Sequence, residues 1–345
     1  MTLNKNIIKN ELEESLGKLD ISEYSRNDTL HPSLVTGSYC WQTTLSRKID
    51  FNGVGLHSGN EVKVSIMPGK EDTGITFIRT DLNGDIKKRK IKANYLFVSD
   101  TSLCTTIENE YGIKVSTIEH IMAAFNGSGI DNAEVELDNI EVPIMDGSSL
   151  PFLNLIEEAG ITQQSAKRKI LKILQKVEVK EDNKTCSINP SNGFDFITEI
   201  DFDSLAVGKQ SATLSIENYG FKGFAANART FGFMKDVEYM KSLGLGLGGN
   251  LENCIIIDND KVINPDGLRH TNEFSRHKLL DAVGDIFTAG YRIQGCYKGV
   301  RSGHYMNNLL LKKIFSSPLN YEIIDAKVLK KEERNSNNIS KISVS

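Results

Sequence analysis

Cysteine is scarce here and its spacing is uninformative. The chain has five, Cys40, Cys104, Cys186, Cys254 and Cys296, an odd number with no two close together. No C-x-x-C occurs, so neither a zinc ribbon nor a dithiol redox motif is supported, and reduced cytosolic thiols are the plain reading. No stretch approaches the ~18 consecutive apolar residues of a membrane span. There is no surplus of positive charge either. The 41 Lys and Arg face 45 Asp and Glu, a formal net charge of −4, whereas a chain built mainly to hold nucleic acid is usually basic. The one basic run, Lys87-Lys88-Arg89-Lys90 with Lys92, reads as a solvated turn and strand edge. Residues 1–40 lack an apolar h-region and hold four Lys/Arg against six Asp/Glu, which argues against a secretory signal or a transit peptide. Ile8, Leu12, Leu16 and Leu19 would line one stripe of a short helix there. H-E-x-x-H and G-x-S-x-G are both absent, which excludes the common zinc-protease helix and the α/β-hydrolase elbow.

What is present describes an ordinary globular protein. The 345 residues are 39% hydrophobic and 25% charged, so disorder, collagen and coiled coil are excluded and roughly two domains are expected. Alternation at Val62, Val64 and Ile66 marks a strand over 61–68, between strands over 41–52 and 73–79. Ser116-Thr117-Ile118-Glu119 fits a capping box opening a helix at 120–126. A strand at 133–137, turn chemistry at 143–147 and a helix at 152–159 follow. The polar, aperiodic 161–169 suggests a boundary between domains at 41–165 and 166–316. Strands are expected at 170–179, 185–189, 195–202 and 254–258, with helices at 233–242 and 273–288. The pattern fades after Ser316, and 331–345 reads as a mobile tail. Strands and helices recur in each half, which indicates α+β units with helices gathered on one face of each sheet.

Two segments bear on chemistry and one does not. Gly244-Leu-Gly-Leu-Gly-Gly249 matches a dinucleotide fingerprint in letters. It follows a helix and precedes a strand, the reverse of what that site needs, so it reads as a helix C-cap and connection. In the long helix, His277, Asp281 and Asp285 fall within roughly 80° of arc. His and Asp at i and i+4 can reach one metal ion, although taken alone such a polar face reads as solvated. Glu119-His120 is a second half-site, with Glu119 equally suited to closing the capping box and His120 to a half-buried hydrogen bond.

The motifs together say more. Gly53-Val-Gly-Leu-His-Ser-Gly59, Ser116-Thr-Ile-Glu-His120, Pro143-Ile-Met-Asp-Gly-Ser148, Ala228-Arg-Thr-Phe-Gly-Phe233, Arg276-His-Lys-Leu-Leu-Asp-Ala-Val-Gly-Asp285 and Ser302-Gly-His304 occur in this order. The set resembles the UDP-3-O-acyl-N-acetylglucosamine deacetylases, zinc amidases of lipid A synthesis, over roughly 42–315. The resemblance implies two similar layered α+β domains packed together with the active site between them. It implies one zinc ion on His120, His277 and Asp281, with water in the fourth position. His57, though inside a hallmark motif, is not expected to be a ligand.

The resemblance also implies roles. Glu119 would take the proton of the attacking water, and His304, oriented by Asp285, would stabilise the oxyanion and protonate the leaving amine. Thr230 would hydrogen-bond that oxyanion. Lys278 and Arg301 would contact the nucleotide-sugar, with Phe202 near the base of the UDP pocket. Leu103 and Cys104 would lie near the sugar and the acyl root, and Phe231, Val237 and Ile256 along the acyl passage. The expected partner is a small acylated UDP-sugar, with no nucleic acid and no transmembrane segment, and the chain is expected to be a cytoplasmic monomer.

Overall fold

The computed structural model describes residues 40–216 and 220–326. The stripe Ile8–Leu19 and the tail 331–345 lie outside the described residues. In the first half, five strands form one sheet in the order Ile49–Val54, Glu61–Pro68, Ala133–Leu137, Ile75–Arg79, Lys90–Lys92. Ala133–Leu137 runs antiparallel to Glu61–Pro68 and parallel to Ile75–Arg79. Val62, Val64 and Ile66 point inward as their alternation requires. Helices α1 (Glu119–Ser128) and α2 (Leu150–Ala159) cover that face through Ile121, Phe125, Phe152 and Ile156. The basic run forms one helical turn and the edge strand Lys90–Lys92, with Lys90 Nζ 2.6 Å from Glu134.

The second half is built on Arg292–Val300, a nine-residue strand. It lies parallel to Lys169–Ile173 and Phe194–Asp201 and antiparallel to Lys184–Asn189. Helix α3 (Met234–Ser242) packs on the small sheet Phe231–Phe233, Ile255–Asp258, Lys261–Val262. Helices α4 (Glu273–Phe287) and α5 (His304–Phe315) line the large sheet. This mixed α/β architecture agrees with the α+β expectation.

Helices of the two halves meet at the centre, where α1 packs on α4. A side chain at Gly284 would lie 2.9 Å from the Glu119 carbonyl carbon and 3.0 Å from Ala123 N, so only glycine allows this approach. Asn126 Nδ2 donates to Val283 O at 3.1 Å across the same crossing.

Three sequence expectations need correction. Residues 161–167 are not irregular; Ile161–Lys167 is a strand antiparallel to Trp41–Leu45. It is mostly exposed, so it lacks the apolar alternation that would mark it. The chain beyond Ser316 adds Tyr321–Asp325, antiparallel to Lys169–Ile173 at the sheet edge. The polar face of α4 is not solvated, for every residue of the helix except Lys278 is buried.

Candidate active site

The helix that carries Glu119 does not start with the expected capping box. Ile118 occupies the N-cap with no side-chain bond, and Thr117 takes a left-handed φ of 57°. Ser116 Oγ turns away to Ile140 O. Glu119 therefore does not reach back to Ser116. Its Oε2 accepts from Thr105 N at 3.0 Å, leaving Oε1 toward the cavity and 3.9 Å from His304 Nε2. Burial raises the Glu119 carboxyl above its ordinary value, against the opposing pull of His304 and His120.

His120 follows on α1. His277 and Asp281 stand one turn apart on α4, as their spacing predicts. The packing of α1 on α4 brings all three together. Their ligand atoms lie within 4.8 Å of one another, with Asp281 Oδ1 3.4 Å from His277 Nε2 and 3.6 Å from His120 Nε2. Asp281 Oδ1 is buried and has no hydrogen-bond partner among the described residues. A buried carboxylate oxygen left this way is costly unless something cationic meets it. Asp281 Oδ2 takes the Lys278 ammonium at 2.8 Å. Burial would raise the Asp281 pKa, but His277 and Lys278 hold it well below the ordinary range. Burial lowers His277 to about 3, so its ring is neutral near pH 7. Its Nδ1 sits 3.1 Å from Ala228 O, which turns the Nε2 lone pair toward Asp281. Two imidazoles and a carboxylate fit a divalent metal of the zinc type.

His304 opens α5 and closes the opposite side. Its Nδ1 is 2.8 Å from Asp285 Oδ2. Burial disfavours its charge, yet Asp285 and Glu119 overcome that and raise it to about 9. Asp285 is itself fixed by Thr105 Oγ1 at 2.6 Å and Asn307 Nδ2 at 2.8 Å. Thr105 thus touches both Glu119 and the partner of His304. Sequence reasoning gave no role to Thr105, Asn307 or the Ala228 carbonyl. Asn307 stands one helical turn after His304 and was legible by spacing; Thr105 lies in a segment rich in hydroxyls, whose spacing assigned it nothing.

These groups face one cavity of about 920 Å³. Its wall contains Glu119, His120, His277, Asp281 and His304, together with Thr230, Lys278 and Arg301. Leu103, Phe202 and Phe231 complete the set of expected residues that line it. Asp285 sits behind His304. Cys104, Val237 and Ile256 are not part of that wall. Cys104 Sγ lies 3.7 Å from Thr106 Oγ1, and burial pushes its thiol up to about 12. Val237 is on α3, and Ile256 lies on the side of its strand away from the buried Ile255 and Ile257. Arg301, at φ 50°, ion-pairs with Asp201 at the cavity wall. The glycine-rich segment ends α3, with Gly244 at φ 73° donating to Lys241 O, so the C-cap reading holds.

Comparison with known proteins identifies a family. The sequence model of the family described as LpxC, UDP-3-O-acyl N-acetylglycosamine deacetylase, matches residues 42–316. The chain belongs to this family. A UDP-3-O-acyl-N-acetylglucosamine deacetylase of Neisseria meningitidis serogroup B (strain ATCC BAA-335 / MC58) is 46% identical over 286 residues, 82% of this chain and 93% of that protein. Proteins of the same name from Pasteurella multocida and Haemophilus influenzae are 45% and 44% identical, each covering 82% of this chain and 92% of the relative. The span matched to the deacetylase family holds every candidate site residue named above. No helix among the described residues is long and apolar enough to cross a membrane.

Proposed function

We propose that the chain hydrolyses the 2-acetamido group of a UDP-3-O-acyl-N-acetylglucosamine, releasing acetate and the free amine that commits the sugar to lipid A. The family and its named relatives support the reaction. The observation that carries the assignment of residues is the convergence of His120 with His277 and Asp281, flanked by Glu119 and His304. The two halves, 41–165 and 166–316, are the two domains of the active unit.

His120, His277 and Asp281 would hold one zinc ion, which when bound polarises the acetamide carbonyl and lowers the pKa of water. Glu119, buried and pushed toward its protonated form, accepts the proton of the attacking water. The new bond joins that water oxygen to the acetyl carbon. His304, charged at neutral pH through Asp285, faces the developing oxyanion and then donates its proton to nitrogen as the C–N bond breaks. Thr230 in the cavity wall contributes a hydroxyl to the oxyanion. Lys278 and Arg301 serve the diphosphate, and Phe202, Phe231 and Leu103 supply apolar wall for the uracil and acyl ends. Buried thiols and a UDP-sugar substrate suit the cytoplasm of a Gram-negative cell, with the protein working as a monomer.

The test is acetate release before and after chelation, with zinc restored stepwise. Activity that falls with the chelator and returns at one zinc per chain supports the reading. Glu119→Gln is expected to keep zinc and lose about 10²–10⁴-fold in kcat; full turnover by that variant would remove Glu119 from its role.

A further inference from the structure

Glu141 is 1% exposed, and no cation pairs with it among the described residues. Its carboxylate is instead ringed by three donors. Oε1 accepts from His57 N at 2.9 Å and from Thr117 Oγ1 at 3.0 Å, and Oε2 accepts from Ser58 N at 2.8 Å. Each donor belongs to a segment that builds the cavity. Thr117 is the turn before Glu119 and His120. Its φ of 57° is one that a β-branched residue avoids unless it is held there. Ser116, just before it, is tied to the same short segment through both its backbone groups, with Ser116 N on Ile140 O at 2.9 Å and Val142 N on Ser116 O at 3.1 Å.

The other two donors come from the loop 53–59, whose Leu56 and His57 line the cavity. Gly55 is required there, since a Cβ would lie 2.9 Å from Glu141 Cδ and closer still to its Oε2. The far side of this loop meets the glycine-rich segment of the second half. Leu247 N donates to His57 O at 3.2 Å and Gly248 N to Leu56 O at 3.0 Å. A Cβ on Gly248 would collide with Gly55 O. The segment that imitates a nucleotide fingerprint is thus a strap laid across the loop that Glu141 holds.

We propose that Glu141 is a positioning residue for the deacetylation: its carboxylate holds Thr117 in the left-handed turn that aims Glu119, and by the same oxygens holds the His57 edge of the cavity. A carboxylate suits this place because every contact to it is a donor, and ionised acceptors make the stronger bonds. The inference rests on Glu119 being the proton acceptor.

Thr117→Val removes the hydroxyl and keeps the shape. Glu141→Gln is isosteric but turns an amide N–H₂ toward one of the backbone N–H groups. Each variant is expected to lose roughly 10–10² in kcat for acetate release, with KM within about threefold, because sub-ångström misplacement of a reacting group acts on the chemical step. Zinc content is expected to stay at one per chain. The double variant is expected to be no slower than the slower single, as for two ends of one contact, and Thr117→Ser to match the parent. A Thr117→Val protein that melts earlier but turns over normally per zinc-loaded site overturns the proposal. So do losses that multiply in the double variant. Glu119→Gln separates the two layers: if it is fully active, the base assignment fails and this inference with it. If it is inactive while Thr117→Val is normal, only the role of Glu141 fails.

Discussion

Replacing Gly284 by alanine perturbs the centre of the site without altering a reacting group. The added methyl would sit 2.9 Å from the Glu119 carbonyl carbon, 3.0 Å from Ala123 N and nearer still to Glu119 O. Ordinary contact begins near 3.4 Å, and the tightest clash is with Glu119 O, so α1 and α4 must part by more than about 1 Å. Both sides are helix backbone and neither can step aside. Overpacking of this kind costs about 1–3 kcal/mol, offset by about 1 kcal/mol because alanine is the better helix former. The net loss of roughly 0–2 kcal/mol lowers the melting temperature by at most a few degrees. The functional loss is expected to be larger. His120 rides on α1 while His277 and Asp281 ride on α4, and metal–ligand distances tolerate only about ±0.2 Å. Zinc affinity, measured by competition with a chelator, is expected to fall about 10–100-fold, in the range seen when a site's supporting contacts are lost. Turnover at saturating zinc is expected to fall about 10²-fold. An alanine variant with parental zinc affinity and turnover within about threefold would refute the argument that this crossing sets the site.

Other outcomes follow from the same geometry. His277→Ala should lose most bound zinc, by elemental analysis after dialysis, because one of three ligands is gone. His304 must be protonated to act as acid, so activity is present below its pKa and falls as pH rises through about 9. Asp285→Asn removes the main charge that raises His304, so the alkaline limb of a kcat/KM profile should move to lower pH; an unmoved limb would assign it to another group. Arg229→Met should destabilise the fold by about 3–5 kcal/mol in denaturant titration, since Glu273 is 0% exposed and Arg229 Nε, 2.9 Å away, is its buried partner.

Where alternation is written locally, the strand bounds were legible. Glu61–Pro68 and Ala133–Leu137 were legible to the residue, because alternation at Val62, Val64 and Ile66 has one interpretation when one face is buried. The central strand Arg292–Val300 was not legible. It is buried on both faces and carries two glycines, so neither alternation nor β-propensity marks it. Tyr321–Asp325 is short and mostly polar outward, and only its pairing with Lys169–Ile173 makes it a strand. The capping box failed for a comparable reason. Ser116 through Glu119 carry the right letters, but Thr117 is held left-handed by Glu141, which stands elsewhere in the chain.

The site divides in the same way. His277, Asp281 and Asp285 lie on one side of a helix because 3.6 residues make a turn, and that much is in the sequence. Spacing could not say whether that side meets water. It is buried because α1 lies against it, and α1 can approach because position 284 has no side chain. A helix supplies two ligands at i and i+4 but no third at a useful angle. His120 comes within reach of His277 and Asp281 only through the crossing of α1 and α4, and Thr105 joins Glu119 to Asp285 only once both halves are packed. Donor types and their order belong to the sequence; their meeting within one cavity is a property of long-range packing alone.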